Sequence, residues 1–422
     1  MPPRRSDARG LEQDALRRSL RRHTHFRTLR DVEVRNKRVI VREDLNVPMK
    51  DGKVADDTRI VAALETLRYL RDRGAKTIVL SHLGRPDGKV VPSLSLRPVA
   101  EELHKRLEST VAFAPDCIGR AAEDAVAALH AGEVLLLENV RFYPQEEDDD
   151  PDFARGLASL GDIYVDDAFG TAHRAHASTE GIAHDLPSVA GFLMVKEIEA
   201  LDHLLTSAKK PFVCAIGGAK VRDKVGIFTS LIERVSSFVI GGGIANTFLA
   251  AQGINVGSSL RDGYLDNAKK IAKLAQERRV PLHLPTDAIV APSFDADDQA
   301  ATVPLEGVGD RMILDIGPQT ARAYAQVLRK AHTIVFNGPM GVYEKPAYQS
   351  GTRAILQAIA EATAHGAMSV VGGGDAAAAA QELGFAEKVT HVSTGGGATL
   401  EYLEGKTLPG IAALERAAAR MP

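Results

Sequence analysis

Apolar and polar positions follow one another along the chain in two alternating patterns. Short, nearly continuous apolar runs predict β-strands at residues 39–41, 77–80, 134–137, 163–165, 212–216, 238–240, 333–336, 369–371 and 390–393. Between them, apolar residues recur at helical spacing, as over residues 58–73, 97–107, 262–279 and 319–329. Apolar strands that alternate with helices predict an α/β fold, in which helices cover both faces of parallel sheets.

Polar or glycine-rich residues follow each predicted strand, and in open α/β sheets ligands bind beyond the carboxyl ends of the strands. In the first half these stretches supply arginine and histidine: REDLN (42–46), SHLGRP (81–86), ENVRF (138–142) and DDAFGTAHRAH (166–176). In the second half they supply glycines, lysines and acids: GGAKVRDK (217–224), GGGIANTF (241–248), NGPMGVYE (337–344), GGGD (372–375) and TGGG (394–397). The two halves therefore predict two sites with different tasks.

The stretch VVGGGDAAAAA (370–380) is typical of an anion site in the second half. Its glycines let backbone N–H groups approach a ligand closely, and the alanine run begins a helix whose first N–H groups are unpaired. Asp375 would repel a phosphate unless a cation lies between them, so a bridging Mg²⁺ is the natural partner. The alternative is that Asp375 only caps an ordinary helix.

Two lysines in GGAKVRDK extend the same interpretation. Lys220 and Lys224 are four residues apart, a spacing that predicts one face of a following helix and repulsion unless an anion neutralises them. Ordinary solvated lysines are the alternative. TGGG, before the helical pattern ATLEYLEG, is another strand-to-helix turn, but by itself it is only weak evidence for an anion site. Neither a P-loop nor a complete G-x-G-x-x-G fingerprint is present in the sequence.

The first half predicts a site for a small anion. Guanidinium groups bind phosphate and carboxylate through paired hydrogen bonds, and carboxylate and amide groups accept from hydroxyls. The candidates are Asp44, Asn46, Arg59, His82, Arg85, Arg141 and Arg174. Any single arginine could instead form a surface ion pair. His173 and His176 have a spacing compatible with metal, but a scaffold or substrate-facing role is favoured because no third ligand accompanies them.

Overall composition limits the alternatives without deciding among them. The 422 residues are 45% hydrophobic with a net charge of −3, which suits two or three domains and gives no basis for nucleic-acid binding. Only two cysteines occur, and no apolar run reaches membrane-spanning length. Residues 1–25 are arginine-rich and are expected to form a disordered extension, and the acidic run 146–150 is expected to lie in a solvated loop. An anion site facing a nucleotide-phosphate site favours direct phosphoryl transfer.

From about Phe26 to near its C-terminus, the chain closely resembles the phosphoglycerate kinase family. The motifs that carry the resemblance are VREDLNVPMKDGKVADDTRI, SHLGRP, LLLENVRFYPQEE, DDAFGTAHRAHAST, GGAKVRDK, FNGPMGVYE, VVGGGD and STGGGATLEYLEGKTLPG. The resemblance implies reversible phosphoryl transfer between 1,3-bisphosphoglycerate and ADP in glycolysis, with Mg²⁺ and ATP or ADP.

The resemblance also implies specific roles for site residues. Phosphoglycerate would be held by Asp44, Leu45, Asn46, Arg59, His82, Leu83, Gly84, Arg85, Arg141 and Arg174. Nucleotide would be held by Lys220, Lys224, Asn337, Glu344 on the ribose, Gly373, Gly374, Asp375 and Ala376, with Asp375 also at the metal. Arg59, Lys220 and Lys224 would be catalytic, and Gly395, Gly396 and Gly397 would supply backbone donors to the transition state.

The implied architecture is two Rossmann-like lobes joined by a hinge helix. Residues 26–194 would form the phosphoglycerate lobe, 195–207 the helix, 208–403 the nucleotide lobe, and 404–422 a tail that returns to the first lobe. Hinge closure would bring the two sites together. A cytoplasmic monomer that binds neither nucleic acid nor membrane is expected.

One departure from the family pattern bears on nucleotide binding. Ala376 stands where family members usually carry threonine or serine, so a hydroxyl that could reach phosphate is absent. This departure is the only support for an alternative, an inactive relative that binds ligands without turnover. A third alternative, a dinucleotide-dependent two-domain enzyme, lacks its fingerprint.

Overall fold

The structure is a computed structural model that describes residues 26–420, so the prediction for residues 1–25 lies outside the described part. The chain divides into two compact units. The first runs through Glu199 and resumes at Thr407, and the second comprises Ala200–Lys406.

A six-stranded parallel sheet forms the centre of the first unit, with strand order β5-β6-β4-β1-β7-β8. The strands are β1 (Arg38–Arg42), β4 (Lys76–Leu80), β5 (Val111–Ala114), β6 (Val134–Leu137), β7 (Ile163–Asp166) and β8 (Ser188–Ala190), with a small hairpin of β2 (Met49–Lys50) and β3 (Lys53–Val54). The helices are α1 (Thr58–Asp72), α2 (Arg97–Leu107), α3 (Gly119–Ala127), α4 (Pro144–Glu147), α5 (Pro151–Ala158) and the first part of α6 (Phe192–Thr206).

Apolar side chains of β1 are buried on both faces of this sheet. Ile40 packs in one cluster with Leu135 and Tyr164, while Val39 and Val41 pack in another. The alternation of side chains along a strand explains why successive residues reach opposite clusters. Covered on both sides, the sheet leaves its strand ends as the place where polar groups meet a ligand.

The second unit repeats this arrangement with strand order β11-β10-β9-β15-β16-β17, all parallel. Its strands are β9 (Phe212–Ile216), β10 (Ser237–Ile240), β11 (Leu282–His283), β15 (Thr333–Asn337), β16 (Met368–Val371) and β17 (His391–Val392), with an antiparallel sheet of β12 (Asp287–Ala291), β13 (Ala301–Pro304) and β14 (Met312–Ile316). Its helices are α7 (Val225–Leu231), α8 (Gly242–Ala251), α9 (Leu265–Arg278), α10 (Pro318–Arg329), α11 (Ser350–Ala364), α12 (Gly374–Glu382) and α13 (Gly397–Leu403).

The last helix, α14 (Pro409–Arg420), belongs to the first unit. Arg416 pairs with Glu180, and Arg420 donates to the carbonyl oxygens of Ala183 at 2.7 Å and His184 at 3.0 Å. These bonds satisfy carbonyl groups at the end of a 3₁₀ turn, Gly181–His184.

All nine predicted strands are present, and the α/β fold of two helix-covered parallel sheets is confirmed. The sequence prediction missed the hairpin of β2 and β3, three short parallel strands, β5, β8 and β11, and the antiparallel sheet β12–β14. The missed parallel strands have only two to four residues, which are too few positions to show a period. The helix predicted over 262–279 begins at Leu265, because Asp262 accepts from the backbone N–H groups of Arg222 and Tyr264 instead.

Phe336 tests the account of the second core. It lies fully buried in β15, in one cluster with Tyr324 and Ile355. We expect Phe336→Ala to lower the free energy of unfolding by about 3–5 kcal/mol in denaturant titrations. Val61→Ala, at a residue that is 47% exposed, is the control. A loss of under about 1 kcal/mol for Phe336→Ala would show that this cluster is loosely packed.

Candidate active site

Asp44, Asn46 and Arg59 meet at the carboxyl end of β1. Arg59, in the first turn of α1, donates from Nη1 to both carboxylate oxygens of Asp44 at 2.9 Å and to the carbonyl oxygen of Asn46 at 3.1 Å. The side-chain oxygen of Asn46 accepts from the backbone N–H of Gly84 at 2.8 Å. The end of β1 and the loop after β4 are thereby joined.

His82 is held in one tautomer by Arg42. Nη2 of Arg42 lies 3.2 Å from Nδ1 of His82. A guanidinium has no acceptor, so Nδ1 accepts and the proton lies on Nε2. Burial, and then the positive charges of Arg42, Arg141 and Arg59, hold the pKa of His82 well below its usual value. His82 is therefore a neutral hydrogen-bond donor.

Arg141 is a buried cation close to other cations. Nη1 donates to the carbonyl oxygen of Gly84 at 3.1 Å, and Nε lies 3.3 Å from Oε1 of Glu147. Burial, and then the positive charge of Arg42, lower its pKa. His176 lies near the same arginines, and burial followed by Arg141 lowers its pKa to about 3. A desolvated set of like charges is typical of an anion-binding site.

The remaining first-half candidates divide by their exposure. Arg174 is exposed and donates from Nε to His173 at 3.3 Å, and Arg85 is exposed in the loop after β4. Leu45 and Leu83 have fully buried side chains in an apolar cluster, so only their backbones are available to a ligand. Gly84 has φ of 64°, and an added Cβ would lie 2.7 Å from Leu94, so only glycine fits.

The prediction of a solvated loop for the acidic run 146–150 is wrong at its first residue. Glu146 is fully buried in α4, where it accepts from the backbone N–H of Ser178 at 2.8 Å and its hydroxyl at 2.6 Å. Ser178 in turn accepts from Nε of Arg42 at 2.8 Å. Sequence reasoning missed Arg42 and Glu146, since one ends an apolar strand and the other begins an acidic run.

Lys224 and Asn337 form the centre of the second-unit site, at the carboxyl ends of neighbouring strands β9 and β15. The Lys224 ammonium donates to the side-chain oxygen of Asn337, whose nitrogen donates to the carbonyl oxygen of Gly372 at 2.6 Å. Burial lowers the pKa of Lys224, although the negative charge of Asp375 opposes this shift.

The prediction that Lys220 and Lys224 share a helix face is wrong. A 3₁₀ turn, Val221–Lys224, separates them, Lys220 has an extended backbone, and α7 begins only at Val225. Lys220 is exposed, while Lys224 is half-buried. The two side chains therefore have different surroundings, and only Lys224 is held by a hydrogen bond that joins two strand ends.

The GGGD stretch opens α12 as the sequence predicts. Gly373 has φ of 96°, which favours glycine, and an added Cβ would lie 3.1 Å from Nδ2 of Asn337. The first backbone N–H to bond within the helix is that of Ala377, so those of Gly374, Asp375 and Ala376 have no intrahelical acceptor. Asp375 is exposed. The side chain of Ala376 is fully buried in an apolar cluster, which leaves its backbone as its polar group.

The TGGG turn and Glu344 lie at two further strand ends. Gly396 has φ of 51° and precedes α13, which begins at Gly397, and the backbone N–H of Gly395 donates to the hydroxyl of Ser393 at 3.1 Å. Glu344 is exposed in the loop after β15. An apolar cavity lies near this loop, a feature that sequence reasoning missed because its lining is non-contiguous: Gly242, Ala245, Leu249, Ala288, Ile313 and Met340.

The donor set bears on whether Mg²⁺ fits. Among residues 26–420, no group of three or more His, Cys, Asp or Glu side chains is arranged to hold a metal. Mg²⁺ is commonly bound by one or two carboxylates together with substrate phosphates. Asp375, exposed beside free backbone N–H groups, fits that pattern.

Comparisons with known proteins identify the family. A sequence model described as phosphoglycerate kinase matches residues 29–406. The chain belongs to the phosphoglycerate kinase family. A relative of that name from Moorella thermoacetica is 54% identical over 389 residues, covering 92% of this chain and 98% of the relative. One from Chloroflexus aggregans is 52% identical over 396 residues, covering 93% and 99%.

Solved structures of the family share the fold. The phosphoglycerate kinase of Coxiella burnetii matches with a TM-score of 0.83 and 43% identity, and the match covers 93% of this chain and 100% of the Coxiella chain. The enzyme of Pyrococcus horikoshii matches with a TM-score of 0.84 and 35% identity, covering 94% and 100%. In the described part of the chain, no helix has the length and apolarity needed to cross a membrane.

The buried histidines give a testable property of the first-unit site. Because burial and neighbouring arginines lower both pKa values, we expect His82 and His176 to stay neutral on NMR titration from pH 8 down to about 5. Arg42→Gln should raise the pKa of His82 by removing a nearby positive charge. Titration of either histidine near the unperturbed pKa of about 6.5 would contradict this electrostatic description.

Proposed function

We propose that this chain is a phosphoglycerate kinase, which transfers a phosphoryl group reversibly between 1,3-bisphosphoglycerate and ADP to give 3-phosphoglycerate and ATP. The observation that carries the proposal is the cluster of desolvated arginines with neutral histidines at the carboxyl edge of the first sheet, in a chain whose family is known. The relatives' names and the presence of every charged candidate residue favour this function over an inactive relative.

On the first unit, we assign the phosphate and carboxylate of phosphoglycerate to the arginine cluster. Arg141 and His82 supply donors from a desolvated environment, in which hydrogen bonds to an anion are strong. Asp44 and Asn46 accept from the substrate hydroxyl. Arg85 and Arg174, both exposed, bind from the outer side, and Leu45, Leu83 and Gly84 contribute backbone only.

On the second unit, we assign the nucleotide phosphates to Lys220, Lys224, Asn337 and the start of α12. The free N–H groups of Gly374, Asp375 and Ala376, after the positive φ of Gly373, fit an anion. Glu344, exposed in the loop after β15, accepts from the ribose. Asp375, together with nucleotide phosphates, would hold Mg²⁺, which neutralises phosphate charge when bound.

Transfer then needs positioning and charge stabilisation. We propose that Arg59 and Lys224 flank the transferred group, while Gly395, Gly396 and Gly397 direct backbone donors at it. Arg59 must exchange part of its hydrogen bonding with Asp44 for bonds to the substrate.

We propose that residues 26–194 and 208–403 form the two lobes, with residues 404–422 returning to the first. Hinge closure about the helix at 195–207 would exclude water. We further propose a cytoplasmic monomer that binds no nucleic acid.

A coupled assay with 3-phosphoglycerate and MgATP tests the function. We expect ADP to form only when 3-phosphoglycerate and Mg²⁺ are both present. Folded protein that binds either ligand without turnover would instead establish the inactive relative. The assay is run on the full chain and on a chain that starts at Phe26, which separates the role of residues 1–25.

Lys224→Ala tests the assignment of the transferred group. We expect a fall in kcat of roughly 100-fold or more with a smaller rise in nucleotide KM, because its charge is needed most in the transition state. Lys269→Ala, at an exposed lysine of α9, is the matched control and should leave both constants unchanged. An unchanged kcat in Lys224→Ala would remove Lys224 from the catalytic set.

A further inference from the structure

Three acidic side chains are fully buried together at the carboxyl ends of β1 and β7. They are Glu43, Asp166 and Asp167, and none takes part in the function proposed above. Burying an ionised carboxylate is costly unless donors or positive charges compensate it. The partners of each oxygen therefore show which of these acids can be ionised.

Too few donors reach this cluster. Within the described residues, four carboxyl oxygens have no donor: both of Glu43, and one each of Asp166 and Asp167. The other Asp167 oxygen accepts from the backbone N–H of Met194 at 3.1 Å. The other Asp166 oxygen accepts from the N–H of Ala168 at 3.1 Å. Glu43 thus faces acceptors with none of its own oxygens satisfied.

Glu43 and Asp167 directly follow Arg42 of β1 and Asp166 of β7, which are register partners, and the N–H of Asp167 donates to the carbonyl oxygen of Arg42 at 3.0 Å, so the two acids lie on neighbouring positions of adjacent strands. A carboxylate only accepts, so two ionised groups could not bond to each other, and a hydrogen bond between them requires that one carry a proton. The groups that face the pair are Asp166 from β7, with the Tyr164 hydroxyl beyond it, Arg42 from β1 and Thr66 from α1.

Arg42 does not supply the missing donors. Its Nε bonds to Ser178 at 2.8 Å, its Nη2 contacts His82 at 3.2 Å, and its Nη1 donates to the backbone carbonyl of Glu43. One positive charge therefore lies near three acids without hydrogen-bonding to their carboxyl oxygens. Burial, and then the charge of Asp167, raise the pKa of Glu43 well above its usual value, and burial raises that of Asp167 to about 6.

We propose that Glu43 carries a proton and donates it to Asp167, and that this bond positions the phosphoglycerate-side segment 42–46 against the first turn of α6. Glu43 lies between Arg42, which orients His82, and Asp44, which holds Arg59. Asp167 in turn binds the start of α6 through the N–H of Met194. Glu43 is therefore a positioning residue, and its effect on substrate binding rests on the proposed function.

The neighbouring glycine supports this close approach. A Cβ added at Gly191, directly before α6, would lie 2.2 Å from Oδ1 of Asp167. A side chain there would displace the carboxylate, so the start of α6 and Asp167 are packed against each other. The N–H of Phe192, the first residue of α6, bonds to the hydroxyl of Thr66 at 3.1 Å. Asp167 and Thr66 therefore both face the beginning of α6.

The shared proton makes stability depend on pH in a defined direction. A carboxyl group whose pKa is raised in the folded state holds its proton at a pH where the unfolded chain has lost it. Folding then takes up a proton, and stability falls as the pH rises from the unfolded value, about 4.3 for glutamate, towards the folded one. The unfolding constant rises by up to about tenfold per pH unit for each such proton.

Glu43→Gln and Asp167→Asn test the proton directly, since an amide donates at every pH. Denaturant titrations of the full chain from pH 5.5 to 9 should show a steep loss of stability in the unsubstituted protein. Each variant should lose stability less steeply, by about one proton per molecule. Asp287→Asn is the matched control: this buried acid accepts from the N–H groups of Gln319 and Thr320 and from the hydroxyl of Thr320, so an amide there should destabilise the protein.

Parallel pH curves for Glu43→Gln and the unsubstituted chain would overturn the proposal. Failure of both amide variants to fold would also overturn it, because the pair is expected to tolerate a permanent donor. The positioning role has a separate test, the KM for 3-phosphoglycerate, which should rise more steeply with pH in the unsubstituted enzyme than in Glu43→Gln. If the chain shows no turnover, the proposed function fails, but the stability series still decides whether the proton is shared.

Discussion

The first-unit site depends on the burial of positively charged arginine side chains away from water. Arg42 and Arg141 are buried, and the two histidines beside them are kept neutral by their own burial and then by repulsion from these arginines. A buried cation without full compensation favours any anion that can enter. Arg141 lies 3.3 Å from the exposed Glu147, while the buried Glu146 accepts from Ser178 and not from an arginine. The cluster thus keeps positive charge available to an incoming anion.

The second unit offers an anion a different set of donors. Backbone N–H groups at the start of α12 have no intrahelical acceptor because they belong to the first turn of the helix, which follows Gly373. Lys224 and Asn337 join the ends of β9 and β15, the point at which the strand order of this sheet reverses. Backbone donors and one semi-buried ammonium suit a ligand that arrives with its own cation. Arginines in one unit and glycines in the other thus correspond to two different anions.

Much of this could be predicted from the sequence, because it depends on local patterns. The apolar runs of β1 and β15 and the glycines before α12 show the strands, the helix and the sheet edges directly. Burial of a polar residue by distant chain segments leaves no local signal. Glu146 looks like part of a solvated acidic run, although Ser178 and Arg42 enclose it in the fold. Lys220 and Lys224 have helical spacing, but the 3₁₀ turn between them breaks it. Ala376 shows the same limit, since its burial follows from packing of α12 and not from its neighbours in sequence.

The central claim is that two edges bind two different ligands, and methyl NMR tests it most directly. Leu45 and Leu83 report on the first edge, and Val221 and Ala376 on the second. The account expects 3-phosphoglycerate alone to shift the first pair of methyl signals, and MgADP alone to shift the second. If 3-phosphoglycerate shifted only Val221 and Ala376, or if MgADP shifted only Leu45 and Leu83, the assignment of ligands to edges would be wrong.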